Sequence, residues 1–304
     1  MKFGRFYIEV NDNKIIDILS QITEDKVLEI TQVCERYGFE EEDVRYYNVY
    51  SIKTSSGNRI LKKCEEREVF NYETYLKDKN LPVPTFFGKY VDDENIWILI
   101  EEVVGDDLRD MSDELSVAAA KSIVAIQNTY WQENEDEFIA KKRDDRFEVY
   151  WRRILRRASF VGDNSLLRRA YQLFIDRQLS VPRTLSNGDF LQFNVVNNDR
   201  EIIVIDWGFG GVMPYSLDIA RFIAHATVDK STFPFYMNDN QKKLFLDSVY
   251  NGLNSKPEYN QFIRDIKLAI LNEYIEFIEA DEDENKWYYN HAIALANELV
   301  NQIL

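Results

Sequence analysis

Apolar and polar residues follow two different periods along this chain, and the places where the period changes divide it into elements. Over 14–21 and 25–37, apolar positions recur at the three- and four-residue spacing of an amphipathic helix, so two short helices are expected there. From 46 to 54 the pattern turns strand-like and rich in Tyr, Val and Ile. Ser55-Ser56-Gly57-Asn58 has turn chemistry, and 59–63 resumes as a second strand, which makes the pair a β-hairpin. A helix is expected over 65–79, where Val69, Tyr72 and Leu76 recur at helical spacing. Pro82 and Pro84 end it, because proline cannot continue a helix. Two further strands are expected at 85–90 and 96–101, joined through Asp92-Asp93-Glu94-Asn95.

After Gly105 the helical period dominates, over 112–132, 146–160, 165–178, 240–251 and 261–278. One island interrupts it at 185–214, where two short apolar runs enclose a polar loop. A chain of 304 residues is long for one hydrophobic core, so two lobes are the natural expectation. The fold class is therefore α+β and bilobal. A small N-terminal lobe built on an antiparallel sheet covers 1–104, and a larger, mainly helical lobe covers 105–304. The boundary near 104–110 reads as a hinge.

Composition narrows the function. Hydrophobic residues make up 45% and charged residues 30%, which suits a folded globular chain. The net charge of −16 would repel nucleic-acid phosphates, so no nucleic-acid partner is expected. No apolar run is long enough to span a membrane and the first residues lack a secretory signal, so the expected location is the cytoplasm. Cys34 and Cys64 are read as reduced thiols, and His225 and His291 form no zinc-ligand spacing with them.

The island carries the chemistry. Asp189 and Asn194 bracket one short loop, in Ser186-Asn187-Gly188-Asp189-Phe190-Leu191-Gln192-Phe193-Asn194. Asp206 follows the buried-strand pattern Ile202-Ile203-Val204-Ile205 and precedes Trp207-Gly208. A hairpin joining these segments would bring Asp189, Asn194 and Asp206 to one edge. Mg²⁺ is a hard cation that takes carboxylate and carbonyl oxygens together with substrate phosphates. Asn194 and Asp206 could hold it, leaving Asp189 to orient or deprotonate an attacking hydroxyl.

Asp-x-x-x-x-Asn, then Ile-Asp-Trp-Gly, then Asp218-Ile219-Ala220-Arg221 resembles the aminoglycoside phosphotransferase and choline kinase family, whose fold is protein-kinase-like. The resemblance implies that Asp189 is catalytic, that Asn194 and Asp206 bind metal, and that Asp218 supports the catalytic loop. The family's loop histidine is replaced by Asn187, which can also hydrogen-bond in support. In the first lobe, Lys62 matches the lysine that contacts nucleotide phosphates, and Glu68 matches its carboxylate partner. Lys63 competes for the first role, while Glu65, Glu66 and Glu73 compete for the second. The run Ile98-Leu99-Ile100-Glu101-Glu102-Val103 resembles the hinge strand, so the backbone at Glu101 and Val103 would bind the purine of ATP or GTP.

The implied activity is transfer of the nucleotide γ-phosphate to a hydroxyl of a small molecule. Glu273, Glu276 and Glu279, continued by the acidic residues at 281–284 and followed by Trp287, suit a cationic, aminoglycoside- or choline-like acceptor by charge pairing and cation–π contact. The same run also reads as a solvated helix end. Arg152, Arg153, Arg156 and Arg157 beside Trp151 could instead face an anionic group. An antibiotic-inactivating kinase, a metabolic sugar or alcohol kinase, and a nucleotide-binding scaffold without turnover all remain compatible with these residues.

Overall fold

The structure is a computed structural model, and it describes residues 4–36, 44–131, 144–227, 235–280 and 286–301. The chain divides into two compact units, Met1–Val104 and Gly105–Leu304.

The first unit is a six-stranded antiparallel sheet with α1 packed on it. In chain order its elements are β1 (Gly4–Glu9), α1 (Asn13–Ile22), β2 (Val27–Arg36), β3 (Val44–Thr54), β4 (Gly57–Cys64), α2 (Glu66–Asn71), β5 (Phe86–Val91) and β6 (Ile96–Glu101). The spatial order is β1-β2-β3-β4-β6-β5. Helix α1 starts where the Asp12 side chain accepts the Lys14 N–H at 2.8 Å, which satisfies one of the donors a helix N-terminus leaves open. Its buried residues Ile15, Ile18 and Leu19 lie three and four apart. They pack with Ile30, Ile52, Leu61, Trp97 and Leu99 of the sheet. Burying each such side chain contributes about 1.5–3 kcal/mol. Helix α2 runs into a π-helical turn, Tyr72–Leu76, and the helical path ends there.

One expected helix is absent. Residues 27–36 form strand β2, paired with β1 and β3, instead of part of a helix over 25–37. Its buried side chains, Ile30 and Cys34, are four apart, and that spacing satisfies a helix and a strand equally. The β-branched residues Val27, Ile30, Thr31 and Val33 then favour the strand once neighbouring strands are available. Residues 37–43 lie outside the described residues.

The second unit contains β7 (Asp106–Asp107), α3 (Asp113–Tyr130), α4 (Arg146–Phe160), α5 (Ser165–Gln178), β8 (Arg183–Ser186), β9 (Val195–Asn197), β10 (Ile202–Val204) and β11 (Gly211–Pro214). Helices α6 (Ser216–Ala224), α7 (Asp239–Gly252), α8 (Tyr259–Glu279) and α9 (Trp287–Asn301) complete it. Two small sheets sit among the helices, β10-β9-β7 and β11-β8. Helix α8 is packed by α6, α5, α4 and α9, so it is the axis of this unit. No helix among the described residues is long and apolar enough to cross a membrane.

Candidate functional site

Asp218 organises the loop that carries Asp189. It lies in the first turn of α6 with 1% of its surface exposed. Its Oδ1 accepts the Ser186 hydroxyl at 2.7 Å and the Gly188 N–H at 2.9 Å, and its Oδ2 accepts the Asn187 N–H at 2.6 Å. Burial pushes the Asp218 carboxyl up to about 6, and these three hydrogen bonds oppose the rise. The carboxylate thus supplies the partner of the Asn187 N–H in a buried turn and shares the Gly188 N–H with the Ser186 hydroxyl oxygen, which lies 3.2 Å from it.

The turn admits little variation. Gly188 has φ +78°, and a Cβ there would stand 2.2 Å from the Phe209 carbonyl oxygen. The loop therefore lies directly against the segment that follows β10. Asn187 stitches the two together. Its Nδ2 donates to the carbonyls of Ile205 (3.2 Å) and Asp206 (3.0 Å), while its Oδ1 accepts the Asp189 N–H at 3.2 Å. Asp206 itself has φ +58°, a left-handed conformation that aspartate adopts more readily than most residues. The Asn187 amide thus ties the loop at 187–189 to the backbone of 205–206.

Pairing of β9 with β10 sets Val195 opposite Val204, and the Ile205 N–H donates to the Asn194 carbonyl at 3.0 Å. Asn194 and Asp206 consequently flank the same end of one hairpin. The Asn194 Nδ2 donates to the carbonyl and to Oδ2 of Asp189, each at 2.9 Å. Asp189, Asn194 and Asp206 are thereby gathered on one edge. The Asn194 amide nitrogen is thus committed to Asp189. Among the described residues no three His, Cys, Asp or Glu side chains cluster as a metal site.

Two residues of this site were not singled out in the sequence. Arg221, one turn beyond Asp218 on α6, donates to Asp189 Oδ1 from Nε (2.8 Å) and lies 2.7 Å from it through Nη2. Its Nη1 donates to Glu273 Oε2 at 2.6 Å. His225 Nε2 meets the same Glu273 oxygen at 3.2 Å, and His225 Nδ1 meets the Tyr288 hydroxyl at 2.9 Å. Burial would raise the Glu273 carboxyl, but Arg221 and His225 hold it below the ordinary glutamate range. The Asp218-Ile219-Ala220-Arg221 run contained the arginine. Its role depends on α6 packing against α8, which nothing local in the sequence encodes.

In the acidic run of α8, Glu273 is buried, pairs with Arg221 and also lines the cavity beside Asp189. Glu276 pairs with Arg153 and, at 2.6 Å, with Arg157. Glu279 pairs with Arg156 at 3.0 Å and Arg157 at 2.9 Å. The physical reason is the packing of α4 on α8, which brings basic and acidic helix faces from distant parts of the chain together. Residues 281–284 lie outside the described residues. Trp287 begins α9 and stacks on His291 with centroids 3.9 Å apart. It does not line the cavity beside Asp189.

That cavity measures about 200 Å³, and Asp189, Gly188, Phe209, Arg221, Arg153 and Glu276 are among its walls. A second cavity of about 360 Å³ shares Arg153, Arg157, Arg221 and Glu276 with it and adds Arg156 and Glu279.

In the first unit, alternation along β4 leaves Lys63 exposed and turns Lys62 toward α2. The Lys62 Nζ donates to Glu68 Oε1 and is 3.0 Å from Oε2, while Glu68 is 2% exposed. Glu73 pairs with Lys89 instead, at 2.8 Å. At the end of β6 the Glu101 N–H donates to Thr85, and the Glu102 N–H donates to Asn58. The Glu101 carboxylate accepts the Thr85 N–H and hydroxyl. Val103 lies just beyond the strand.

Several solved structures share this architecture. An ethanolamine kinase of Plasmodium vivax matches with TM-score 0.55 at 14% identity, covering 84% of this chain and 78% of its own. An aminoglycoside phosphotransferase of Alicyclobacillus acidocaldarius matches with TM-score 0.54 at 9% identity, covering 95% and 91%. An amicoumacin kinase, solved with AMP-PNP, Ca²⁺ and its substrate, matches with TM-score 0.55 at 13% identity, covering 88% and 90%. The fold is kinase-like, an antiparallel-sheet unit followed by a mainly helical one. At the level of sequence, residues 44–241 match the model of the phosphotransferase enzyme family, APH, and the chain belongs to that family. No curated protein sequence matches it.

Two outcomes are expected from this geometry. Asp218→Ala strands the Ser186 hydroxyl and the Asn187 N–H in a buried turn, leaves the Gly188 N–H only its contact with the Ser186 oxygen, and should lower unfolding free energy by about 2 kcal/mol or more in urea titration. Glu273→Gln tests the pH term. A carboxyl held below its unfolded value contributes stability that is present above the ordinary glutamate pKa and is lost as pH falls below it. Wild type should therefore lose more stability than Glu273→Gln on acidification from about pH 5 to pH 3. Asp218 acts oppositely in both proteins, its contribution fading as pH rises toward 6.

Proposed function

We propose that this chain is an Mg²⁺-dependent small-molecule kinase that transfers the γ-phosphate of ATP or GTP to an alcohol. The observation that carries the reading is the gathering of Asp189, Asn194 and Asp206 on one edge next to a cavity of small-molecule size. Membership of a phosphotransferase family adds to it.

Asp189 would accept the hydrogen bond of the acceptor hydroxyl and point its oxygen at the γ-phosphorus. As the new O–P bond forms, the bond to the nucleoside diphosphate breaks and the hydroxyl proton passes to the Asp189 carboxylate. Arg221 and Asn194 each hold one oxygen of that carboxylate, so its orientation is set before the acceptor arrives. Phosphoryl transfer gains mainly from positioning and charge neutralisation, which suits a site of fixed oxygens. Asn194 and Asp206 would hold the metal, and Mg²⁺ when bound supplies charge neutralisation on the phosphates. Lys62, fixed by Glu68, is the proposed contact for the nucleotide phosphates, and Val103 for its base.

Asp189→Asn keeps the shape and removes the proton acceptor. In an ADP-release assay over a panel of alcohols and amines, with water as the background acceptor, the rate should fall by about 10²–10⁴-fold. Calorimetric binding of Mg·AMP-PNP should change little. Wild-type turnover in this variant would remove Asp189 from the chemistry.

A further inference from the structure

In a chain with a net charge of −16, helix α4 is an electrostatic exception. It presents Arg146, Arg153, Arg156 and Arg157 to the two adjoining cavities beside Asp189. The carboxylates of the same region are already spoken for. Glu273 has Arg221 and His225, Glu276 has Arg153 and Arg157, and Glu279 has Arg156 and Arg157.

The arginines are not saturated in return. A guanidinium has five N–H donors. Arg153 reaches Glu276 through Nη2 alone, and Arg156 reaches Glu279 through Nη2 alone. Their side chains are 49% and 71% exposed, whereas that of Arg157 is 1% exposed. Arg157 is thus the internal counter-ion that neutralises both glutamates, and Arg153 and Arg156 have donors to spare at the cavity walls.

The magnitudes separate the two kinds of acceptor. A cation seeking Glu276 or Glu279 must compete with the buried Arg157, whose separation from its carboxylates is costly. An anion needs only the unused N–H groups of two exposed arginines, whose outer pairs are weak and yield readily. Arginine is also the side chain best shaped to grip a carboxylate or phosphate with two parallel hydrogen bonds.

We propose that the pocket beside Asp189, together with the cavity that adjoins it, selects an alcohol that also bears an anionic group, a carboxylate or a phosphate ester, through Arg153 on the wall the two share and Arg156 in the second. This rests on the kinase reading and narrows its acceptor class. The transferred phosphoryl group would go to the hydroxyl held by Asp189, while the anionic group stays on the arginines.

Glycerate, glycerol and serinol test it, because these three-carbon alcohols are similar in size and are respectively anionic, neutral and cationic. The full-length protein is titrated with each by calorimetry at constant ionic strength, and with glycerol phosphate to separate the two anion types. An anionic alcohol should bind at least about tenfold more tightly than serinol. Whether glycerate or glycerol phosphate binds better identifies the group, and either supports the proposal. The preference should vanish in Arg153→Gln/Arg156→Gln and persist in part in the double lysine variant, which keeps the charge. Tighter binding of serinol, no charge preference or binding at all, or an unchanged preference in the glutamine variant would overturn it. Mg·AMP-PNP titrated in parallel keeps the two readings apart. Failure of the nucleotide to bind counts against the kinase assignment, whereas nucleotide binding with a serinol preference counts against the anionic acceptor alone.

Discussion

A single buried carboxylate holds the site together. Asp218 exchanges its water for one hydroxyl and two backbone N–H groups of residues 186–188, and in doing so fixes the turn from which Asp189 projects. Isolated, such a buried charge would be expensive, and the pull of burial on its carboxyl shows that cost. The donors offset it only when the turn adopts this one path. Gly188 allows the path, and Asn187 carries it across to the backbone of Ile205 and Asp206. Position at Asp189, Asn194 and Asp206 is therefore a consequence of hydrogen-bond satisfaction in the protein interior.

Behind this edge lies a second layer made of charge. Arg221 joins Asp189 to Glu273, and His225 and Tyr288 extend the connection to α9. Alongside it, Arg157 sits almost wholly buried between Glu276 and Glu279. The two assemblies tie α4, α6, α8 and α9 together around the cavity. Helices that frame a small-molecule pocket are thus locked by the same ion pairs that determine which charges the pocket has left to offer.

Much of this was legible in the sequence, for identifiable reasons. The Asp189–Asn194 spacing and the position of Asp206 after an apolar run are local patterns, and a hairpin converts them directly into proximity. Strand alternation required one of Lys62 and Lys63 to face inward without saying which, and in the fold it is Lys62 that pairs with Glu68. Glu68 was distinguishable only in the fold, where its rivals are engaged elsewhere or exposed. What stayed hidden depends on contacts between distant segments. Strand β2 looked helical because Ile30 and Cys34 fit both periods until β1 and β3 flanked it. Glu276 and Glu279 looked available to a cation because their partners lie more than a hundred residues away on α4. Arg221 was visible as a letter in a motif, but its bond to Asp189 exists only once α6 meets the loop after β8, and its bond to Glu273 only once α6 and α8 are packed.

The central claim is that Asn194 and Asp206, set side by side by one hairpin, grip the metal of a bound nucleotide next to Asp189. Electron paramagnetic resonance of Mn²⁺ in the presence of AMP-PNP measures that grip directly. The account predicts a protein-bound Mn²⁺–nucleotide signal in the wild type and a loss of about 10–100-fold in metal affinity in both Asn194→Ala and Asp206→Ala. Equal Mn²⁺ affinity in all three proteins would contradict it.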